Sequence, residues 1–282
     1  MFKQKDTIFN FDDQFELTMK KLIIIALSST FLFSACKNDS KQENKNDPEK
    51  AVTIKEQTLQ INSSTIESNQ FDICKENICP EVQLEYLVAK GKYSEKINQE
   101  NEAYLIEIFN STPSPSSVDN LEEAVQKFIN DYFKFKNEFP ETPAAYEAEI
   151  SQEELIKTDS LLTYKTKFYL FTGGAHGYGA TRFLNFNLNN GNKLTNAELF
   201  SDPEGFTAYA EKRFREKYEI TSENINANGF FFEEDTYKLP ENIAITEDEV
   251  ILIYNPYEAA SYAQGQLELV FKKENVKKYL NY

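Results

Sequence analysis

Apolar and polar positions alternate in ways that divide most of the chain into short elements. Val82-Gln83-Leu84-Glu85-Tyr86-Leu87-Val88 repeats with a period of two and predicts a half-buried strand. Residues 51–62 alternate more loosely and could open a sheet, while Ile97 to Phe109 has enough apolar residues for a helix or an irregular segment. Ser111 to Ser117 (STPSPSS) breaks whatever precedes it. Leu121, Ala124, Val125, Phe128, Ile129, Tyr132 and Phe133 then recur every three or four residues, which stacks them on one face of a helix. Asp119 or Asn120 can cap that helix, and Pro140 marks its far limit.

Two strands are predicted at Ala144 to Ile150 and Leu161 to Phe171, joined by the acidic stretch Ser151 to Ser160. In the second, Leu162, Tyr164, Thr166, Phe168 and Leu170 take one side. Arg182 to Leu188 alternates again before the turn Asn189-Asn190-Gly191-Asn192. Asp202-Pro203-Glu204 has the order of cap, first-turn proline and first-turn acid, and opens a helix with Phe206, Tyr209, Ala210, Phe214 and Tyr218 as its buried stripe. Glu249 to Tyr254 and Gln266 to Phe271 predict the last strands, and Glu274 to Leu280 a short closing helix. Strands outnumber helices and follow one another as hairpins, so the expected class is α+β, with antiparallel sheets and packed helices.

Composition adds two constraints. With 23 phenylalanines, 16 tyrosines and no tryptophan among 282 residues, the core should be rich in aromatic rings. A formal net charge of −16 argues against nucleic acid and against electrostatic docking on anionic lipid, and favours cationic partners. The commoner use of such acidity is solubility.

The N-terminus carries an export pattern. Met19 is followed by Lys20 and Lys21, an apolar run from Leu22 to Phe33, and Ser34-Ala35-Cys36. This resembles a bacterial lipoprotein signal, with Cys36 as the lipidated residue and residues 19–35 removed. The apolar run is short for a membrane-spanning anchor. Residues 1–18 carry Asp6, Asp12, Asp13 and Glu16, which suits no signal peptide, so Met19 is the expected true start. Residues 36–50 read as a solvated tether. Their opening Lys37-Asn38-Asp39 is either plain linker or similar to the charged export tags of surface lipoproteins in the Bacteroidetes group. With Cys36 claimed by lipid, Cys74 and Cys79 remain as a pair. In an exported chain a disulfide is the favoured reading over zinc binding, which lacks nearby histidines, or redox chemistry, which favours closer spacing.

Phe171-Thr172-Gly173-Gly174-Ala175-His176-Gly177-Tyr178-Gly179 places four glycines in seven positions between two strands. A phosphate-cradling loop would lead into a helix, whereas this one returns to a strand. Together with Asn189 to Phe200, Leu239 to Thr246, Ile253 to Glu258 and Tyr262 to Gly265, it resembles an extracytoplasmic domain found in two settings. One is the lysozyme-sensing part of RsiV-type anti-sigma factors; the other is the non-catalytic N-terminal region of PdaC-type peptidoglycan deacetylases. The resemblance is specific over residues 164–282, taken as a C-terminal domain, and looser over residues 51–163. It implies binding of a lysozyme-like protein, here detached from any sigma-binding segment or deacetylase.

His176 is the one histidine of the chain. No serine elbow or free cysteine accompanies it, so a loop-holding role outweighs ligand contact, and no catalytic residue, metal ligand or cofactor is expected. Phe231, in Phe230-Phe231-Phe232-Glu233-Glu234-Asp235, belongs to a solvated acidic turn with one phenylalanine inward, or to a loop offered to a cationic partner. Tyr257 and Tyr262 either pack back on the sheet or stack on sugar rings or a protein. The candidate binding set is therefore Gly173, Gly174, His176, Tyr178, Phe231, Tyr257 and Tyr262. The expected function is a non-enzymatic, lipid-anchored envelope binding protein for lysozyme-like muramidases. The alternative is a lipoprotein that binds peptidoglycan or another glycan.

Overall fold

A computed structural model describes residues 58–110, 118–141 and 146–282. Cys36, the leader, the tether, residues 51–57 and the break at 111–117 lie outside the described residues. The described residues form one compact unit.

The fold is α+β, with a six-stranded and a three-stranded sheet. Strand β1 (Gln60–Glu67) pairs antiparallel with β2 (Glu81–Lys90). Between them lies the short helix α1 (Asp72–Glu76), where Cys74 is disulfide-bonded to Cys79. Helices α2 (Ser94–Asn110) and α3 (Leu121–Glu138) carry the chain over to β3 (Glu147–Lys157), which pairs parallel with β2. This one pair departs from the expected antiparallel pattern. A parallel neighbour needs a long crossover, and the two helices supply it. Strands β4 (Leu161–Phe171), β5 (Tyr178–Asn187) and β6 (Asn192–Lys193) complete the sheet as antiparallel neighbours.

The acidic stretch after residue 150 is not a connection but the second half of β3. Its acids are compatible with a strand because Glu153 and Glu154 both remain exposed, while Ala148, Ile150 and Gln152 are buried. Buried Gln152 is fully engaged: its Oε1 accepts from Leu87 N and Asn101 Nδ2, and its Nε2 donates to Asn101 Oδ1 and Thr166 Oγ1. This network ties α2 to three strands. The predicted stripe of α3 is buried at Leu121, Ala124, Val125, Phe128, Ile129 and Tyr132, and Asn120 caps the helix by accepting from Glu123 N.

Helix α4 (Pro203–Lys217) begins as the sequence predicts, with Asp202 Oδ1 accepting from Gly205 N at 2.9 Å. Phe206, Ala210 and Phe214 are its buried face, packed on the sheet of β7 (Asn242–Ile245), β8 (Glu249–Tyr254) and β9 (Leu267–Lys272). The chain closes with α5 (Lys273–Val276) and a 3-10 turn. The second core draws on residues 199–276 and reaches back to Leu161, while β4 and β5 hydrogen-bond within the six-stranded sheet. Strand β5 joins the two layers. Leu184 and Phe186 belong to the first core, whereas Phe183 packs with Ala244 and Ile253 of the second sheet.

Candidate functional site

The glycine-rich segment and the connection from β8 to β9 meet at one edge of the molecule. Gly173 and Gly174 have φ of 83° and 105°, backbone that favours glycine. Gly177 is buried for a different reason: a Cβ there would lie 2.3 Å from the Tyr169 ring. Its carbonyl is held at 3.0 Å by the Tyr262 hydroxyl and lies 2.9 Å from His176 Nδ1. The His176 ring stacks on Tyr262 with centroids 4.2 Å apart and an interplanar angle of 21°, and Tyr257 follows at 5.7 Å from Tyr262. His176, Tyr262 and Tyr257 thus form an aromatic ridge, with exposed Tyr178 packed on Phe168.

The ridge is anchored from below. Asn255 clasps the backbone of Thr181 on β5, accepting from its N–H and donating to its carbonyl at 2.9 Å each. The Glu258 carboxylate accepts from Asn255 N at 2.9 Å and Glu241 N at 2.7 Å. Burial nonetheless pushes the Glu258 carboxyl above its ordinary value, outweighing those two bonds. Tyr257 takes a φ of 73° and leaves its ring 55% exposed. A left-handed, bulky, exposed residue is unfavourable on its own, so the surrounding hydrogen bonds must impose it.

Beside the ridge lies a cleft of about 370 Å³ bounded by α2, β5 and the same connection. Arg182 crosses it, 2.9 Å from Glu241, 3.9 Å from Glu107 and 5.4 Å above the Tyr104 ring. Burial lowers the guanidinium's proton affinity, but Glu241, Tyr104 and Glu107 outweigh that and hold it above its ordinary value. Tyr104 itself is pushed up by burial.

The structure therefore brings Gly173, Gly174, His176, Tyr178, Tyr257 and Tyr262 to two facing loops. Phe231 lies on a neighbouring segment, tied to the β8–β9 connection by its N–H to Ala259 O. Two phenylalanines of that segment turn inward rather than one: Phe230 and Phe232 pack on Phe214, and Phe231 alone is exposed. Alternation along the chain puts residues 230 and 232 on the same side. Glu233, Glu234 and Asp235 form a tight turn, with Glu233 paired to Lys238. His176 contacts Gly177 O and the Tyr262 ring, and neither contact supplies a nucleophile or an orienting carboxylate. Among the described residues, no group of three or more His, Cys, Asp or Glu is placed to hold a metal ion. Sequence reasoning missed Tyr104, Arg182, Asn242 and Glu258 as cleft residues. The first three sit inside regular elements whose polar positions look like any others, and Glu258 was visible only within a longer recognised run.

Residues 73–178 match the family model described as deacetylase PdaC, and residues 197–274 match the one described as protein of unknown function DUF3298. A crystal structure of a DUF3298 family member from Bacteroides fragilis is similar at 19% identity and a TM-score of 0.57, covering 80% of this chain and 94% of that one. A DUF3298 family protein from Pseudomonas aeruginosa is similar at 19% identity and a TM-score of 0.52, covering 79% and 94%. At this identity the likeness shows the fold alone. The curated proteins contain no match.

Proposed function

We propose that this chain is a non-catalytic binding protein of the bacterial cell envelope, held by lipid on Cys36, whose aromatic ridge docks into the substrate cleft of a basic, lysozyme-like muramidase. The observation that carries the reading is the row His176–Tyr262–Tyr257, which keeps flat rings exposed on a hydrogen-bonded base. Rigid aromatic side chains at an edge are good anchors for a protein partner, because little freedom is lost on binding. The net charge of −16 supplies the long-range attraction that would steer a cationic enzyme towards them. The lipobox-like segment supports display at the outer membrane, on its periplasmic or surface side. Labelling with a fatty acid tests this: Cys36→Ser should lose both the label and the membrane fraction.

Binding of the chain from residue 37 onward to hen lysozyme tests the main claim. Saturable binding that inhibits the enzyme, with an association rate falling steeply as salt rises, is the expected result. Absence of binding at both low and moderate salt removes the muramidase from the account. The glycan-binding alternative draws on the same exposed tyrosines, and peptidoglycan pull-down surviving high salt is its signature. A catalytic role for His176 would require muropeptide turnover that His176→Ala abolishes, and none is expected.

A further inference from the structure

The two sheets end in four outer strands, β1, β6, β7 and β9, and an open edge is a template for pairing with another chain. Among the described residues, three of these edges are closed. On β7 all four residues are buried, and Asn185 Nδ2 donates to Ile243 O at 2.8 Å. On β9 the Glu268 carbonyl accepts from the Lys217 ammonium and the Tyr218 hydroxyl. Strand β6 is two residues long and α2 lies beside it, with Lys96 donating to Asn190 O and Glu100 paired to Lys193.

Strand β1 is left open. Its eight residues, QINSSTIE, pair with β2 in unbroken register, and among the described residues nothing hydrogen-bonds to the backbone on its other side. It has no lysine, arginine, proline or bulge, the devices that keep an edge from pairing. Ile61 and Ile66 are only partly buried. An odd number of positions separates them, so they lie on opposite faces, and a further strand would cover both.

What the edge accepts follows from its side chains. A charged peptide finds no counter-charge between Gln60 and Ile66. Asn62, Ser63, Ser64 and Thr65 favour short hydroxyl and amide neighbours, which hydrogen-bond across strands. A strand that sets such residues between two isoleucines suits this edge, and β1 is itself such a strand. Antiparallel pairing of two copies about a two-fold axis at Ser63 puts Asn62 opposite Ser64 of the second copy, Ile61 opposite its Thr65 and Gln60 opposite its Ile66. No like charges meet across that register, which matters in a chain of net charge −16.

We propose that β1 is a dimerisation edge whose partner is a second copy of this chain, joining the two six-stranded sheets edge to edge. With the other edges closed, assembly ends at two copies. The ridge starts from the loop between β4 and β5, with β2 and β3 between it and β1, so a dimer displays two free ridges. The inference therefore stands whether or not those ridges bind a muramidase.

The test combines sedimentation velocity of the chain from residue 37 onward, over micromolar to millimolar concentrations, with hydrogen exchange of the same samples. A monomer–dimer equilibrium is expected, with slower exchange of the amides of residues 60–67 as the dimer fills. Ser63 and Thr65 are exposed, so Ser63→Lys combined with Thr65→Lys should leave thermal unfolding unchanged while weakening the dimer at least about tenfold through like charges across the axis. A monomer at every concentration overturns the proposal. So do species that grow beyond two copies, a dimer whose residues 60–67 exchange as fast as in the monomer, and a dimer that the two lysines leave equally tight.

Discussion

Two groups of aromatic residues in this molecule are built from the same side chains and treated in opposite ways. Around Phe214, the rings of Tyr218, Phe230, Phe232, Tyr237 and Tyr254 lie 4.5–5.6 Å away, and all but Tyr218 are buried. In and beside the ridge, Tyr257 and Tyr178 remain open to solvent. The first group is held by burial, which needs no particular backbone. The second is held by directional bonds: Asn255 on Thr181, Glu258 on two backbone amides, and Tyr262 on Gly177. The same residue type is thus core in one place and presented surface in the other, and what separates them is the hydrogen-bonded loop beneath.

The comparison breaks most sharply at Phe214. Phe214→Ala should cost about 3–5 kcal/mol, read as a shift in the urea unfolding midpoint, because it opens a cavity at the centre of the sealed cluster. A loss as small as that of a surface substitution would show that the cluster does not hold the C-terminal layer together. Gly177→Ala should come next. Its methyl group meets the Tyr169 ring, so a loss of about 1–3 kcal/mol is expected, together with weakened ligand binding as the ridge shifts. Replacing Cys74 and Cys79 by serine removes a short closed loop outside both aromatic groups. It should cost about 2 kcal/mol, measured against oxidised wild type, and leave binding intact.

Tyr257→Asn sharpens the contrast from the other side. Asparagine accepts a left-handed backbone more readily than tyrosine, so stability should hold or rise by up to about 1 kcal/mol while ligand affinity falls. No substitution in the Phe214 cluster can show that combination. The smallest effect is the pH dependence from Glu258. Burial raises its folded pKa, so the folded state binds its proton more tightly than the unfolded chain does. Its contribution to stability is therefore most favourable at acid pH and declines as pH climbs from the ordinary carboxylate range through the raised value. Glu258→Ala should flatten that slope in melting curves taken across the range.

Much of the fold was legible because burial leaves a period in the sequence. The stripe of α3, the cap and proline of α4, and the strands β2, β4, β5 and β8 all follow from it. The acids of β3 hid a strand, since a sheet with one solvated side places no limit on the polar residues there. The parallel pairing of β2 with β3 leaves no local mark at all, because it depends on where two helices return the chain. At the candidate site, glycine density and tyrosines singled out two loops that the fold brings together. The cleft did not show, because Tyr104, Arg182 and Asn242 come from three elements distant in sequence and acquire meaning only when folded together.

The central claim is that the open aromatic set is a binding surface and not misplaced core. Its most direct test is the affinity of the wild-type chain and of Tyr257→Asn for hen lysozyme, measured side by side with thermal unfolding of both proteins. The account predicts that the wild type binds, that the variant binds at least about tenfold more weakly, and that the variant melts no lower. Equal affinity of the two proteins, or a variant that loses binding only because it loses stability, would contradict it.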